Sequence, residues 1–202
     1  MHGSYKEAAR RLSETAQPQQ GFFTTKQAIQ AGFIEKNHAY HVRNGNWVRE
    51  YRGIYRLSGF PAGNRPDLML WYLWSQNRKE HPEGTYSHET ALSLHELSDI
   101  MPSKLHMTVP KRFRRNSEVP PILVLHWGDL RKEDVQEMQG VRVTRPLRTI
   151  TDLLESGRVD RSQLRKAVEK ALDRGLFTRK QIDALPKSDV REILRKLARR
   201  TA

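Results

Sequence analysis

Residues 24–57 read TTKQAIQAGFIEKNHAYHVRNGNWVREYRGIYRL. Thr24 or Thr25 stands where a hydroxyl accepts a hydrogen bond from an unpaired amide at a helix start. Ala28 and Ile29 supply that helix with an inner face, and Gly32 permits the sharp turn after Ala31. A second helix is predicted from about Glu35 to Asn44. At helical spacing Ala39 and Val42 point inward, which places Asn37, Tyr40, His41 and Asn44 outward. Gly45 suits the left-handed position that ends a helix. Trp47-Val48-Arg49-Glu50-Tyr51 and Ile54-Tyr55-Arg56-Leu57, joined by Arg52-Gly53, read as a hairpin. Helix, turn, helix and ribbon together make a helix-turn-helix with a wing, a DNA-reading unit.

The outward face is polar without being acidic. Asn pairs bidentately with adenine and Arg with guanine. Asn37, Tyr40, His41 and Asn44 are therefore the candidate base readers. Lys26, Lys36, Arg49, Arg52 and Arg56 are the candidates for phosphate or the minor groove. The same module also serves elsewhere for docking proteins, and that alternative stays open at this stage.

The chain has 202 residues, 36 basic and 23 acidic, with a net charge of +13 and no cysteine. Such a balance favours a polyanionic partner, and disulfides and thiolate metal sites are excluded. Charge is segregated: residues 1–66 carry +6, 67–160 carry −1 and 161–202 carry +8. The longest apolar run, residues 68–74, is too short to span a bilayer, and residues 1–4 lack the apolar core of a signal peptide. A cytoplasmic protein with no membrane association is expected.

Tyr5 to Ala16 reads as a first helix carrying Ala8, Ala9 and Leu12, and Gln17-Pro18-Gln19-Gln20-Gly21 breaks it. Phe22 and Phe23 seed a small core. The turn-rich residues 58–66 mark a domain junction. Asp67 to Lys79 reads as a buried helix, apolar nearly all round. Ser87 is read as the cap of a helix from His88 to Leu97. Leu105, Met107 and Val109 alternate as a strand, Ile122 to Trp127 forms another, and Val141 with Val143 a third. Pro146 opens a helix with Leu147, Ile150 and Leu154. Leu164, Ala167, Val168, Ala171 and Leu172 define a further helix that Gly175 stops. Thr178 to Leu185 is short. Ser188 caps a last helix whose basic face holds Arg191, Arg195, Lys196, Arg199 and Arg200. The expected fold class is α+β: a winged helix-turn-helix domain over residues 1–62, a mixed α+β domain over 63–160 and a basic helical segment over 161–202.

Five ordered pieces resemble the AbiEi antitoxins of type IV toxin–antitoxin systems. They are GFFTTKQAIQAG at 21–32, RGIYRL at 52–57, SHETALSLHEL at 87–97, HMTVP at 106–110 and VRVTRPLRTITDL at 141–153. Family members often carry Gly where this chain has Glu96. The resemblance implies an N-terminal winged helix that represses the antitoxin–toxin operon. It also implies a C-terminal domain that counters a nucleotidyltransferase toxin, by contact or functionally. The expected partners are operator DNA with inverted repeats and that toxin. The protein itself would be a monomer or weak dimer, paired on DNA because protein symmetry mirrors site symmetry.

Three other groups carry possible chemistry. His88-Glu89 and His95-Glu96 repeat at seven residues, which places both histidines on one helix face. That spacing offers a metal-dependent, nuclease-like alternative, although metal helices more often use a spacing of four. The other reading makes one a hydrogen-bonded histidine beside the capping serine and the other a packing residue. His81, His106 and His126 are scattered in the sequence. Arg145 and Arg148, with Thr149 and Asp152, form either an ion-paired helix start or a surface for toxin or nucleic acid. Lys111-Arg112-Phe113-Arg114-Arg115 reads either as a solvated tip or as a phosphate grip with a stacking ring. No catalytic residue, metal or cofactor is assigned.

Overall fold

A computed structural model describes residues 2–61, 63–99, 101–116 and 118–199. Met1, Ala62 of the turn-rich junction and Arg200 of the basic face lie outside the described residues. The chain is α+β. It divides into two compact units, residues 1–83 with 139–141, and residues 84–138 with 142–202.

The first unit opens with α1 (His2–Ala16), which buries Ala8, Leu12 and Ala16. After β1 (Phe22–Thr24) comes α2 (Thr25–Ala31). Thr24 caps it by accepting from Gln27 N, while the Gln27 side chain accepts from Thr24 N at 2.9 Å. Two amides that a helix start leaves unpaired are thereby satisfied reciprocally. Gly32, at φ 111°, turns the chain. A 3-10 turn over Glu35–Asn37 leads into α3 (His38–Arg43), and the hairpin is β2 (Trp47–Tyr51) with β3 (Ile54–Leu57). The strand order is β1-β3-β2, all antiparallel. Thr25 N donates to Gly53 O at 2.9 Å, which ties the hairpin turn to the start of α2. Trp47 lies against Phe23, Phe33, His38, His41 and Tyr55, at ring separations of 4.6–5.7 Å. α4 (Pro66–Trp74) packs on β1 and β3 and buries Leu68, Met69, Leu73 and Trp74. The sequence boundary at 62/63 separates this helix from the unit in which the structure places it, because a turn-rich stretch marks a bend in the chain and not an end to its packing.

The second unit contains β4 (Thr85–Tyr86), α5 (His88–Leu94), β5 (Leu105–Val109), β6 (Leu123–Trp127), β7 (Val135–Met138) and β8 (Val141–Thr144). Its sheet runs β6-β5-β4-β8-β7. β4 is antiparallel to β5 and parallel to β8, and β5 is parallel to β6. Four helices complete it: α6 (Pro146–Ser156), α7 (Arg161–Asp173), α8 (Arg179–Asp183) and α9 (Asp189–Leu197). Leu92, Ile150, Leu153, Leu164, Val168, Ile182, Leu194 and Leu197 share one buried core. Residues 161–199 therefore belong to the second unit's core, and 160/161 is not a break in packing. Ser188 caps α9 by accepting from Arg191 N. Among the described residues, no helix is long and apolar enough to cross a membrane.

Candidate nucleic-acid interface

The helix read as the base-reading element is exposed, but its phase differs from the sequence expectation. His38 and His41 are buried, Val42 is half-buried against the core, and Ala39 is exposed. His41 stacks on Trp47 at 4.6 Å and meets the edge of Phe33 at 5.0 Å. This corrects both the outward placement of His41 and the inward placement of Ala39. The 3-10 turn at Glu35–Asn37 resets the helical phase, so positions i, i+3 and i+4 of the inner face become His38, His41 and Val42. The outward row is Lys36, Asn37, Tyr40, Arg43 and Asn44, all exposed. Arg43 was missed; its place three residues after Tyr40 is the signal that finds it. The same kind of shift affects α2, where Ala28 and Ala31 are buried and Ile29 is 44% exposed.

The cations divide into free and committed. Arg49 and Arg52 are exposed on the ribbon, Arg52 at its turn. Arg56 is not available as expected: its Nε donates to Glu50 Oε1 at 2.7 Å, and its guanidinium lies 5.9 Å from the Phe22 ring centroid. Lys26 Nζ donates to the carbonyl of Arg78 at 3.0 Å. Both are pieces of structure, whereas Lys36, Arg43, Arg49 and Arg52 form the exposed basic set.

Burial holds the imidazoles of His38 and His41 below the usual histidine range, so at neutral pH the inner face of α3 carries no charge. His41→Ala is expected to cost about 2 kcal/mol of stability, as deletion of a buried ring does. A thermal melt would show this. An unchanged Tm with altered base preference would return His41 to the outer surface.

The fold has a solved counterpart. It is similar to the crystal structure of the RV2827C protein from Mycobacterium tuberculosis, with a TM-score of 0.58 at 14% identity, over 96% of this chain and 76% of that chain. At that identity the likeness concerns the fold alone. No family model and no curated protein matches the chain.

The second unit separates the two histidines that the sequence paired. His95 Nε2 donates to Thr144 O at 2.7 Å, and Arg174 donates to His95 O at 2.7 Å. His95 is thus a packing residue between helix and strand. His88 Nδ1 lies 2.9 Å from Ser87 Oγ, which also accepts from Thr108 Oγ1 at 2.8 Å. With its hydroxyl engaged there, Ser87 makes no side-chain cap on α5. His88 carries φ 50°, uncommon for a residue with a Cβ. Glu96 has φ 55°, in the same region, so the position where the resembled family often carries Gly is one that favours Gly.

His106 and His126, scattered in the sequence, converge on His88. The rings of His88 and His126 stack at 3.6 Å, and His106 Nδ1 lies 3.0 Å from His126 Nε2. That same Nδ1 is 3.0 Å from Glu89 Oε2. Glu89 Oε2 is itself buried with no aligned hydrogen-bond donor. Burial and the neighbouring imidazoles push His88 down to about 3 and His126 to about 4. Burial pushes Glu89 up, but the adjacent His106 imidazole and a backbone amide outweigh it and hold the carboxylate at about 2. Two nitrogens in hydrogen-bond contact leave no space for an ion between them, and two stacked rings do not aim their lone pairs at one point. In keeping with this, no metal-holding group is formed among the described residues.

Arg148 Nε donates to Asp152 at 2.7 Å and its Nη1 lies 3.4 Å from Asp134, both carboxylates being buried. Arg148 therefore supports the helix start. Arg145 is exposed beside Gln136. In the 111–115 loop Phe113 is only 4% exposed, so its ring cannot stack on a base. Lys111, Arg112, Arg114 and Arg115 remain exposed around it.

Proposed function

We propose that residues 22–57 form a winged helix that grips duplex DNA, and that the chain is an AbiEi-type antitoxin which represses its own operon and counters a nucleotidyltransferase toxin. One observation carries the DNA half. Asn37, Tyr40, Arg43 and Asn44 are exposed along one side of α3, and its other side is pinned by His38 and His41. A helix with one polar, exposed side is the kind of element a major groove about 12 Å across admits. The hairpin that follows carries Arg49 and Arg52, both exposed, as cations a wing would bring to the phosphate backbone. The five ordered motifs between residues 21 and 153 support the antitoxin half.

Repression works by occlusion: two copies on an inverted repeat cover the promoter. Phosphate contacts make binding salt-dependent, with a slope of about −0.9 per phosphate neutralised. Arg52→Ala is expected to weaken binding to all duplexes alike and to make the slope shallower by about 1. Asn37→Ala is expected to relax discrimination at one base pair, by about 1–3 kcal/mol. Gel shifts on the chain's own upstream DNA at several salt concentrations measure both. Full affinity in Arg52→Ala rejects the wing assignment. Co-expression with the product of a neighbouring nucleotidyltransferase gene tests the antitoxin half separately, growth rescue being the expected result.

A further inference from the structure

Among its described residues, the second unit presents one aromatic ring to solvent at the rim of its sheet. Trp127 ends β6, the edge strand, and is 56% exposed. Trp47 and Trp74 are 4% and 2% exposed, and Trp71 is half-buried with its ring against Tyr51. Burial of a large indole is favourable, so an indole left this open offers a flat apolar face on which a ligand can stack.

Cations are close by. Trp127 pairs in register with Val109, and Gly128 N donates to Val109 O at 3.0 Å. Lys111 follows two residues later, and its Nζ lies 3.9 Å from Asp129. The strand ends thus leave the sheet side by side. Phe113 plugs the loop, with its amide donating to Pro110 O at 2.8 Å. Arg114 Nη1 donates to the carbonyls of Lys111 and Phe113, at 3.0 and 2.8 Å, which closes the turn. Lys111, Arg112 and Arg114 are exposed on the segment that directly follows Val109, the strand partner of Trp127. At this loop the sequence offered either a solvated tip or a phosphate grip with a stacking ring; Phe113 is buried and cannot be that ring, whereas Trp127 on the neighbouring strand end is exposed.

We propose that Trp127 with Lys111, Arg112 and Arg114 is a binding site for single-stranded nucleic acid, the indole stacking on an unpaired base and the cations holding the flanking phosphates. A flat exposed indole reaches a base face only where the base is not already stacked in a duplex, so unpaired strands are selected over paired ones. Stacking of this kind tolerates any base. The site lies in the second unit and does not depend on the winged-helix reading of the first.

The test is a titration of the full chain with a twelve-nucleotide U-tract RNA, a T-tract DNA and a duplex, at low salt, following tryptophan emission and oligonucleotide anisotropy. Both single strands are expected to quench emission. Equal quenching assigns base and phosphate as the whole ligand, and quenching by RNA alone adds the 2′-hydroxyl; either result supports the site. Trp127→Leu should abolish the quench and weaken binding about tenfold. The double substitution Lys111→Ala/Arg112→Ala should reduce the salt slope by about 0.7 for each phosphate no longer neutralised. Because Trp127 is exposed, the fold should survive, which an unchanged melt would verify. Trp127→Phe, which keeps a stacking face, should retain intermediate affinity. Absence of quenching by both strands overturns the proposal, as does single-strand affinity untouched in Trp127→Leu. Loss of the quench in Arg52→Ala would also overturn it, by moving the binding to the first unit. Duplex-binding loss in Arg52→Ala with the quench intact leaves the two sites distinct.

Discussion

Acidification from pH 7 to pH 5 is expected to destabilise the protein by about 3 kcal/mol, lowering Tm by about 10 °C. Histidines set the direction. An imidazole whose folded pKa lies below its unfolded value binds fewer protons folded than unfolded. Stability therefore rises with pH between the two values and is lost as pH falls through that window. For His88 the window runs from 6.5 down to about 3, and for His126 down to about 4. Each contributes about 1.4 kcal/mol per pH unit within it. His38, His41 and His95 are lowered by burial and act in the same direction. Asp152 acts oppositely. Burial, against the pull of Arg148, raises it to about 6, so between 3.8 and 6 the folded state binds the extra proton and offsets one histidine. Glu89, held at about 2, extends the acid loss below pH 4.5. Melts at pH 7, 6 and 5 test this. His126→Phe keeps a ring stacked on His88 while removing one titration, and its acid limb should be shallower. A Tm that stays level over this range would show that the histidine cluster is open to water.

A single added methyl group is expected to disturb the first unit nearly as much. Gly21 has φ 83°, and a Cβ there would stand 2.5 Å from both Cβ and Cγ of Phe60. The residue is held from both sides, its amide donating to Ala16 O at 2.8 Å and its carbonyl accepting from Leu57 N at 2.9 Å. It cannot relax without moving the end of the hairpin. The left-handed backbone adds about 1–2 kcal/mol and the collision about 1–3 more, so Gly21→Ala should cost about 3 kcal/mol. Gly45→Ala is the matched control. Gly45 has φ 71° with nothing within 4 Å of its Cβ position, so only the backbone penalty of about 1–2 kcal/mol applies. Equal losses in the two variants would mean that Phe60 swings away freely.

Local signals in the sequence located most elements. The Thr24 cap, the left-handed glycines at 32 and 45 and the Arg52-Gly53 turn each act within a few residues, so their meaning survives without tertiary information. Helix phase proved less legible. His38 and His41 look like surface residues, but an aromatic cage around Trp47 gives them a buried place, and a 3-10 turn shifts the register ahead of them. β1, β4 and β7 escaped notice because two to four residues are too few to display a period. Within the candidate interface, Arg49 and Arg52 stand where expected, while Arg56 is taken up by Glu50, a partner that only the strand pairing brings near. The cluster of His88, His106 and His126 was beyond reach for a similar reason. These residues come from a helix start and two strands, and their meeting depends on the parallel pairing of β5 with β6. Phe113 amid four cations has the composition of a stacking loop, and only burial reveals it as the plug.

The sheet order has a further consequence, for the sequence of events in folding. In the first unit, strand pairings join Phe22 to Arg56 and Trp47 to Leu57, so every strand partner of its sheet exists once the hairpin has been made. The centre of the second sheet waits longer, because Tyr86 pairs in parallel with Val143. Closing so long a loop is slow, and rates fall as pairings become less local. During synthesis α3 and its ribbon are therefore expected to be complete while one flank of β4 still lacks its neighbour. That open flank is where a nascent chain of this protein is most exposed to mispairing.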